Sequence, residues 1–344
     1  MSKYSLTPYE KRRRHWGNTL LSVLGLLIVV IVVVSMNTGY MRLSPSEVLH
    51  TLSGQGTPQQ KLILFDFRLP RIVISLLVGA GFAVSGCILQ SLSRNPLAEP
   101  ATLGISAGAG FAVILFISFV PASSAASIFM LPLLALAGAG LTAALIYVLA
   151  FRREEGLSPT RLVLIGIAVA AGINAFQLVL ALRLDPENYQ FVAIWMAGKI
   201  WGGDWRFVLA LLPWILILVP FSIYKARVLN VLNLGDQTST GLGAPVERER
   251  LLLLATAVAL AGACVSVSGG IGFVGLIGPH LARRLVGPRH QILLPACALI
   301  GGLLLLTADT LGRWILQPSE IPAGVVVAII GAPYFLYLLA KSRA

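Results

Sequence analysis

The sequence predicts an all-α, polytopic membrane bundle of about ten spanning helices, and three observations carry that class. Of 344 residues, 57% are hydrophobic and only 12% charged, too little polar surface for a soluble chain of this size. Apolar runs recur along the whole length, separated by short polar segments. The charges are also one-sided. Of the 26 Lys and Arg, more than two thirds fall in segments that ten crossings place on the same side as the N-terminus, the asymmetry expected of a cytoplasmic face.

Taken in order, residues 1–16 carry Lys3, Lys11, Arg12, Arg13 and Arg14 and read as a cytoplasmic tail. The run 20–36 exceeds a signal-peptide core and has no small-x-small cleavage site, so it is expected to stay as the first span. Further runs cover 70–92, 102–120, 128–150, 161–182, 205–224, 249–268, 271–285, 292–311 and 321–340. Ten crossings return both termini to the cytoplasm. The run 271–285 is too short to cross alone at ~1.5 Å per residue, so protein must shield it on both sides. Acidic residues divide evenly between the two faces, so the net charge of +12 reports topology. Nucleic-acid binding would need a hydrated basic face with aromatics, and the short loops offer none. Residues 1–344 read as one transmembrane domain.

The stretch 68–110 organises the rest. Arg68, Pro70 and Arg71 open a helix long enough to cross a ~30 Å hydrocarbon layer. The turn RNPLAEP follows, holding Asn95, Pro96, Glu99 and Pro100, and its prolines forbid a helix running straight through. GISAGAG then sets Gly104 and Gly108 four apart, the spacing that lets two helices approach closely in lipid. VGAGFAVSG (78–86) and VALAGACVSVSGG (258–270) echo each other before irregular turns, and by parity they run in opposite directions. Such an echo points to an inverted internal repeat, although small-residue composition alone also produces it.

No stretch offers catalysis. The Gly198-Lys199 pair is followed by Ile200, so there is no phosphate loop and the chain is expected not to bind ATP or any other cofactor itself. His15, His50, His280 and His290 are scattered without an HExxH pattern or a carboxylate cluster, and no metal site is expected. His280, following Gly278 and Pro279, is expected to make a helix-end hydrogen bond. Cys87, Cys264 and Cys297 lie in apolar runs and read as packing residues. An ion-coupled secondary transporter would want carboxylates inside its spans. Only Asp309 comes close, four residues before Arg313, where an exposed helix-end ion pair accounts for it as well as a functional role does. A membrane-embedded enzyme would need a nucleophile–base pair, which is missing.

Arg68-Leu-Pro-Arg71, Gly81, Gly86, Gln90 and RNPLAEPATLGISAGAG are followed by SGGIGFVGLIGPHLARRL, LLPACALIGGLLLLTADTLGR and EIPAGVVVAIIGAPYFLYLL. Together they resemble the permease of FecCD-type ABC importers for iron-siderophores, haem and cobalamin, over nearly all of the chain after residue 60. The resemblance implies a multi-pass protein of the bacterial cytoplasmic membrane. Its implied partners are a second permease chain, identical or paralogous, two ATP-binding subunits that use the ATP, and an extracytoplasmic substrate-binding protein. An iron(III)-siderophore is the first cargo implied, with haem and cobalamin behind it.

The same resemblance distributes roles. The fifth and tenth spans would face the translocation path, with Gly166, Gly172, Asn174, Gly324 and Gly331. In FRREEGLSPTR, Ser158 and Pro159 read as a helix N-cap followed by proline at the first helical position, and the implied gate is Ser158, Pro159, Thr160 and Arg161. Within 225–250, Leu232, Leu234 and Leu242, with Gly235, Asp236, Gly241 and Gly243, suit a pair of short helices docking on the ATPase. A solvated loop is the alternative. Arg68, Arg71 and Arg313 are expected outside, the first two on one helix face because they lie three apart. They either snorkel to lipid phosphates or, as the resemblance implies, form bidentate pairs with glutamates of the binding protein.

Overall fold

The structure is a computed structural model that describes residues 8–39, 41, 43–119, 126–153, 156–200, 204–317 and 319–342, with side chains from residue 15 onward except those of 126–129, 131, 159, 338, 339, 341 and 342. Helices α1 (Pro8–Asn37), α4 (Leu69–Ser93), α6 (Ala126–Ala150), α7 (Pro159–Ala181), α9 (Trp205–Tyr224), α12 (Val246–Ser268) and α14 (His290–Ile315) form the long members of the bundle. Among the described residues, seven helices are long and apolar enough to cross a membrane. The apolar helices α5 (Ile105–Phe119) and α15 (Ala323–Ser342) present shorter runs, 105–119 and 323–337. Helix α13 (Val274–Val286) has 13 residues, about 20 Å at 1.5 Å per residue. By length, therefore, the expectation of about ten spans stands at seven.

Helix α4 is the axis of the bundle. Every residue from Gly81 to Ser93 is buried, and glycines let neighbouring backbones reach it. A Cβ on Gly79 would stand 2.2 Å from the carbonyl oxygen of Gly301 in α14, and one on Gly86 1.9 Å from that of Gly275 in α13. On the side of α12, Gly81 faces Cys264, and Ser85 Oγ donates to Ala257 O at 2.7 Å. Residue numbers rise on α4 as they fall on α12, so these two helices pack antiparallel, as their opposed echo requires. Close approach of this kind is how helices associate where lipid offers no hydrophobic gain. Cys87, Cys264 and Cys297 are buried free thiols in this packing.

Gly108 of α5 faces Gly138 and Thr142 of α6, the approach its spacing predicts. Gly104 departs from that prediction. Its φ of +76° places it in the turn before α5, where glycine tolerates the left-handed backbone, and its Cα side meets Gly166 of α7.

Shorter elements complete the ends. Helix α2 (Pro45–Leu52) and the turn α3 (Pro58–Lys61) each begin with a capping box, Ser44 with Glu47 and Thr57 with Gln60. A π-helical stretch, Leu62–Arg68, then leads into α4. Helix α8 (Pro186–Met196) follows α7, between two of the expected spans; Asp185 caps it through Asn188 N at 2.9 Å, and Trp195 enters the core. A two-stranded antiparallel hairpin, β1 (Phe151–Arg152) with β2 (Gly156–Leu157), joins α6 to α7. Between α9 and α12 come α10 (Ala226–Leu232) and α11 (Asp236–Gly241).

Candidate functional site

At the end of the bundle where α1 and α14 finish, three arginines meet two carboxylates. Asp309, 1% exposed, accepts from Arg71 Nε at 2.9 Å through Oδ1 and from Arg313 Nε at 3.0 Å through Oδ2. Arg71 also pairs with Glu320 at 2.8 Å. Arg313 donates further to Ser35 Oγ at 2.6 Å and Thr38 O at 3.2 Å. Arg68 donates to the carbonyl oxygen of Met36, an acceptor that the last turn of α1 leaves without a helical partner, and to that of Met41 beyond the helix end.

Arg68, the last residue of the π-helical stretch, reaches the end of α1 while Arg71 reaches α14. One expectation is corrected here. The Asp309–Arg313 pair is buried, because Arg71 closes over it from α4. With both oxygens held by guanidinium groups, Asp309 is a structural counter-ion, and the case for gradient-driven transport through it falls away.

The RNPLAEP turn that follows α4 meets the start of α13. Arg94 ends α4 in a left-handed conformation, φ +49°. Asn95 Oδ1 accepts from Leu97 N at 2.9 Å, closing an Asx turn. Glu99, 6% exposed, accepts from Phe273 N at 2.9 Å and so tethers the first residue before α13. Pro100 packs on Gly275, and Gly278 on Ala83. Gln90 accepts from Arg283 at 3.2 Å. Pro96 lies in the same turn, and Pro279 is buried inside α13. His280 differs from expectation: its Nε2 has no hydrogen-bond partner, and its ring lies edge-on to Tyr334 with centroids 5.9 Å apart. Among the described residues no cluster of His, Cys, Asp or Glu could hold a metal.

The path residues separate by surroundings. Gly172 faces open space and Asn174 is exposed. Gly166 packs on Leu103, Gly324 on Ala197 and Gly331 on the ring of Phe273, where added Cβ atoms would lie 3.1, 2.5 and 2.7 Å from their nearest neighbours. These three serve close packing. Leu164, Ile167, Phe176 and Val179 on α7, with Ile329, Ile330 and Leu336 on α15, leave broad apolar faces uncovered.

At the opposite end, three elements converge on one carboxylate. Asp236 opens α11, and its Oδ1 accepts from Arg250 of α12 at 2.7 Å and from Arg94 at the end of α4. Burial acts to raise the Asp236 pKa, but hydrogen bonds and charge from Arg250 and then Arg94 outweigh it, holding the carboxyl below its ordinary value. Arg250 also donates to Leu157 O at 2.9 Å, in the hairpin just before Ser158, and to Glu247 at 3.3 Å. Lys225 binds both oxygens of Glu249 at 2.8 Å. Leu234 and Leu242 project outward, whereas Leu232 is buried and is no anchor for another protein. Gly235 and Gly243 have φ of +105° and +81°, and around Gly235, Gly241 and Gly243 the space is open. Ser158 occupies the N-cap position without a side-chain bond to the helix, a correction to the cap expected from its sequence. Pro159 starts α7, its side chain outside the described ones. Thr160 is exposed, and Arg161 donates to Ala150 O at 3.2 Å, tying α7 back to α6.

Sequence reasoning overlooked Arg94, Glu247, Arg250 and Glu320. Arg94, Arg250 and Glu320 act on partners in other elements, which no periodicity marks, whereas Glu247 pairs with Arg250 three residues on in the same helix. It also overlooked His290, whose Nδ1 meets Asn230 Oδ1 at 2.8 Å and whose Nε2 meets Ser91 Oγ at 2.7 Å.

The model of the FecCD transport family matches residues 26–341. The chain belongs to the FecCD transport family. Among FecCD-type relatives, the iron(3+)-hydroxamate import system permease protein FhuG of Bacillus subtilis is 54% identical, the alignment covering 94% of this chain and 97% of that protein. The Fe(3+)-citrate import system permease protein YfmE of the same organism is 44% identical, over 96% and 98%. A solved metal-chelate type ABC transporter in an inward-facing conformation superposes with a TM-score of 0.81 at 32% identity, over 94% of this chain and 99% of that one. This FecCD-family chain is thus a multi-pass membrane permease subunit of the ABC-importer class.

Proposed function

We propose that the chain carries iron(III)-siderophore complexes, hydroxamates first, through the cytoplasmic membrane by alternating access driven by ATP hydrolysis on a partner subunit. The observation behind this reading is likeness along almost the whole chain to a permease named for iron-hydroxamate import. Haem or cobalamin is the second reading of the cargo, from the family as a whole.

Seven long helices, α5, α15 and the shielded α13 read together as ten crossings with both termini cytoplasmic, and α4 and α12 as counterparts in an inverted repeat. Two permease chains stand side by side, the uncovered faces of α7 and α15 turned to a shared path. Leu234 and Leu242 offer the apolar anchors for the ATP-binding subunit, on which ATP is bound and hydrolysed. Ser158, Pro159, Thr160 and Arg161 form the inner gate.

The extracytoplasmic binding protein docks at the opposite end. Arg68, Arg71 and Arg313 against Asp309 and Glu320 leave one positive charge unmatched, which favours an incoming carboxylate. Arg71 is the contact, because its partner Glu320 has a side chain 38% exposed and can be displaced. Arg71→Glu should lower binding-protein affinity, and added salt should weaken the wild-type complex. Salt-insensitive binding unaffected by this reversal would refute the docking assignment.

Reconstitution of the permease pair with its ATPase and binding protein in proteoliposomes tests the function. Uptake of radiolabelled ferric hydroxamate should require both ATP and the binding protein. Uptake indifferent to either would refute an ABC importer, and a preference for haem or cobalamin would replace the cargo.

A further inference from the structure

The contacts around Asp236 join two regions to which the proposed function gives separate tasks: the short helices that meet the ATPase and the hairpin that leads into the gate. We infer that Asp236 and Arg250 form a relay that transmits movement of α11 to the α6–α7 connector, a reading that rests on the coupling and gating roles proposed above.

Arg250 is the rigid member. Its side chain is 5% exposed, and its guanidinium reaches three partners at once: Asp236 on α11, Glu247 one turn back on α12, and the backbone carbonyl of Leu157. A planar fork with this many fixed bonds has little freedom to rotate away from one partner while keeping another. Leu157 is itself 2% exposed, so the bond holds buried backbone rather than a loose loop tip. The neighbouring Gly156, φ +65°, lies so close to α12 that an added Cβ would stand 2.5 Å from Glu247 Oε1. The second strand of the hairpin is therefore seated on the first turn of α12.

Asp236 is the movable member. Its side chain is 48% exposed, and it starts a six-residue helix entered through Gly235, whose backbone is free of side-chain hindrance. Its Oδ1 is shared by Arg250 and Arg94, and Arg94 also donates to Leu232 O at 3.2 Å where α10 ends. A push on Leu234 or Leu242 displaces α11 against two guanidinium groups. Arg94, its side chain 39% exposed, can follow the movement, whereas the buried, triply bonded Arg250 cannot and passes it to Leu157 and Ser158. Arg250 is a positioning residue in this scheme and touches neither cargo nor nucleotide.

The test uses the complete transporter in lipid nanodiscs, with spin labels at Ser158→Cys on both permease chains. It measures ATPase co-purification, binding-protein-stimulated ATP hydrolysis, and the change in inter-label distance on adding a non-hydrolysable ATP analogue. For Asp236→Asn we expect the ATPase to stay bound, the distance change to disappear, and stimulated hydrolysis to fall about tenfold, within the usual span of coupling between sites. Asp236→Glu should restore both readouts, which repair of a merely structural defect elsewhere would not do. Should Asp236→Asn fail to insert, Arg250→Lys, which keeps the charge and loses the fork, carries the same expectation.

The relay is overturned by a wild-type distance change in Asp236→Asn, by loss of the ATPase from that variant, which would make Asp236 a docking contact, or by failure of Asp236→Glu to rescue. Leu242→Glu separates the two levels of the proposal. If it leaves assembly and hydrolysis intact, the coupling surface itself is wrong. If it uncouples while Asp236→Asn is silent, the relay alone is wrong.

Discussion

Asp309 is bonded through each oxygen to a different arginine, so removing its charge strands the buried Arg313 and leaves Arg71 with Glu320 alone. Breaking a buried pair on one side costs about 3–5 kcal/mol, and we expect Asp309→Asn to lower the stability of the detergent-solubilised permease by that order, read as a shift in its denaturant or thermal midpoint. Asp236 is the contrasting acid, half exposed and outside the spans. Its folded pKa lies below the ordinary 3.8, so its pairing contributes fully above that value and is lost only as pH falls through the lower, folded one. The nucleotide-dependent distance change at position 158 should therefore be the same from about pH 8 down to about pH 5. A loss near neutrality would show that another group titrates in the relay. Both carboxylates are visible in the sequence, and a spacing of four, one helical turn, pairs Arg313 with Asp309. Nothing in a linear pattern shows that α14 passes beside α4 and brings Arg71 to the same carboxylate.

Among elements, α4 has the least room for change. Gly79→Ala would drive a methyl group into the backbone at Gly301, where neither neighbour can retreat as a side chain could. Overpacking of this kind costs about 1–3 kcal/mol or more, and we expect Gly79→Ala to reduce the yield of monodisperse protein on size exclusion. Gly140→Ala, in open space on α6, should leave it unchanged. Equal behaviour of the two would mean that the α4–α14 seam is looser than this geometry. The small-residue spacing legible in 104–108 led to a sound conclusion at Gly108 and a wrong one at Gly104, because spacing counts residues and cannot see where a helix begins. Helix α8 escaped notice for a related reason: eleven residues between two longer apolar runs carry too short a pattern to stand out.

For the whole molecule, the exposed apolar faces of α7 and α15 are its unfinished part. In the assembled transporter, cysteine at Gly172 should react with a membrane-impermeant maleimide while cysteine at Gly166, packed on Leu103, should not. Protection at both positions would move the path away from α7. Composition and the recurrence of apolar runs sufficed to establish a helical membrane bundle, since burial in lipid is a property of each segment on its own. The short motifs sufficed for the family and for the places where helices break, since proline and glycine act on their own backbone. The shared carboxylates at Asp309 and Asp236 could be known only from the folded chain. Apart from Arg313, one turn from Asp309, their partners lie on other elements, brought together by packing that leaves no period behind, and it is this packing that turns Arg71, Arg94 and Arg250 into bonds between elements.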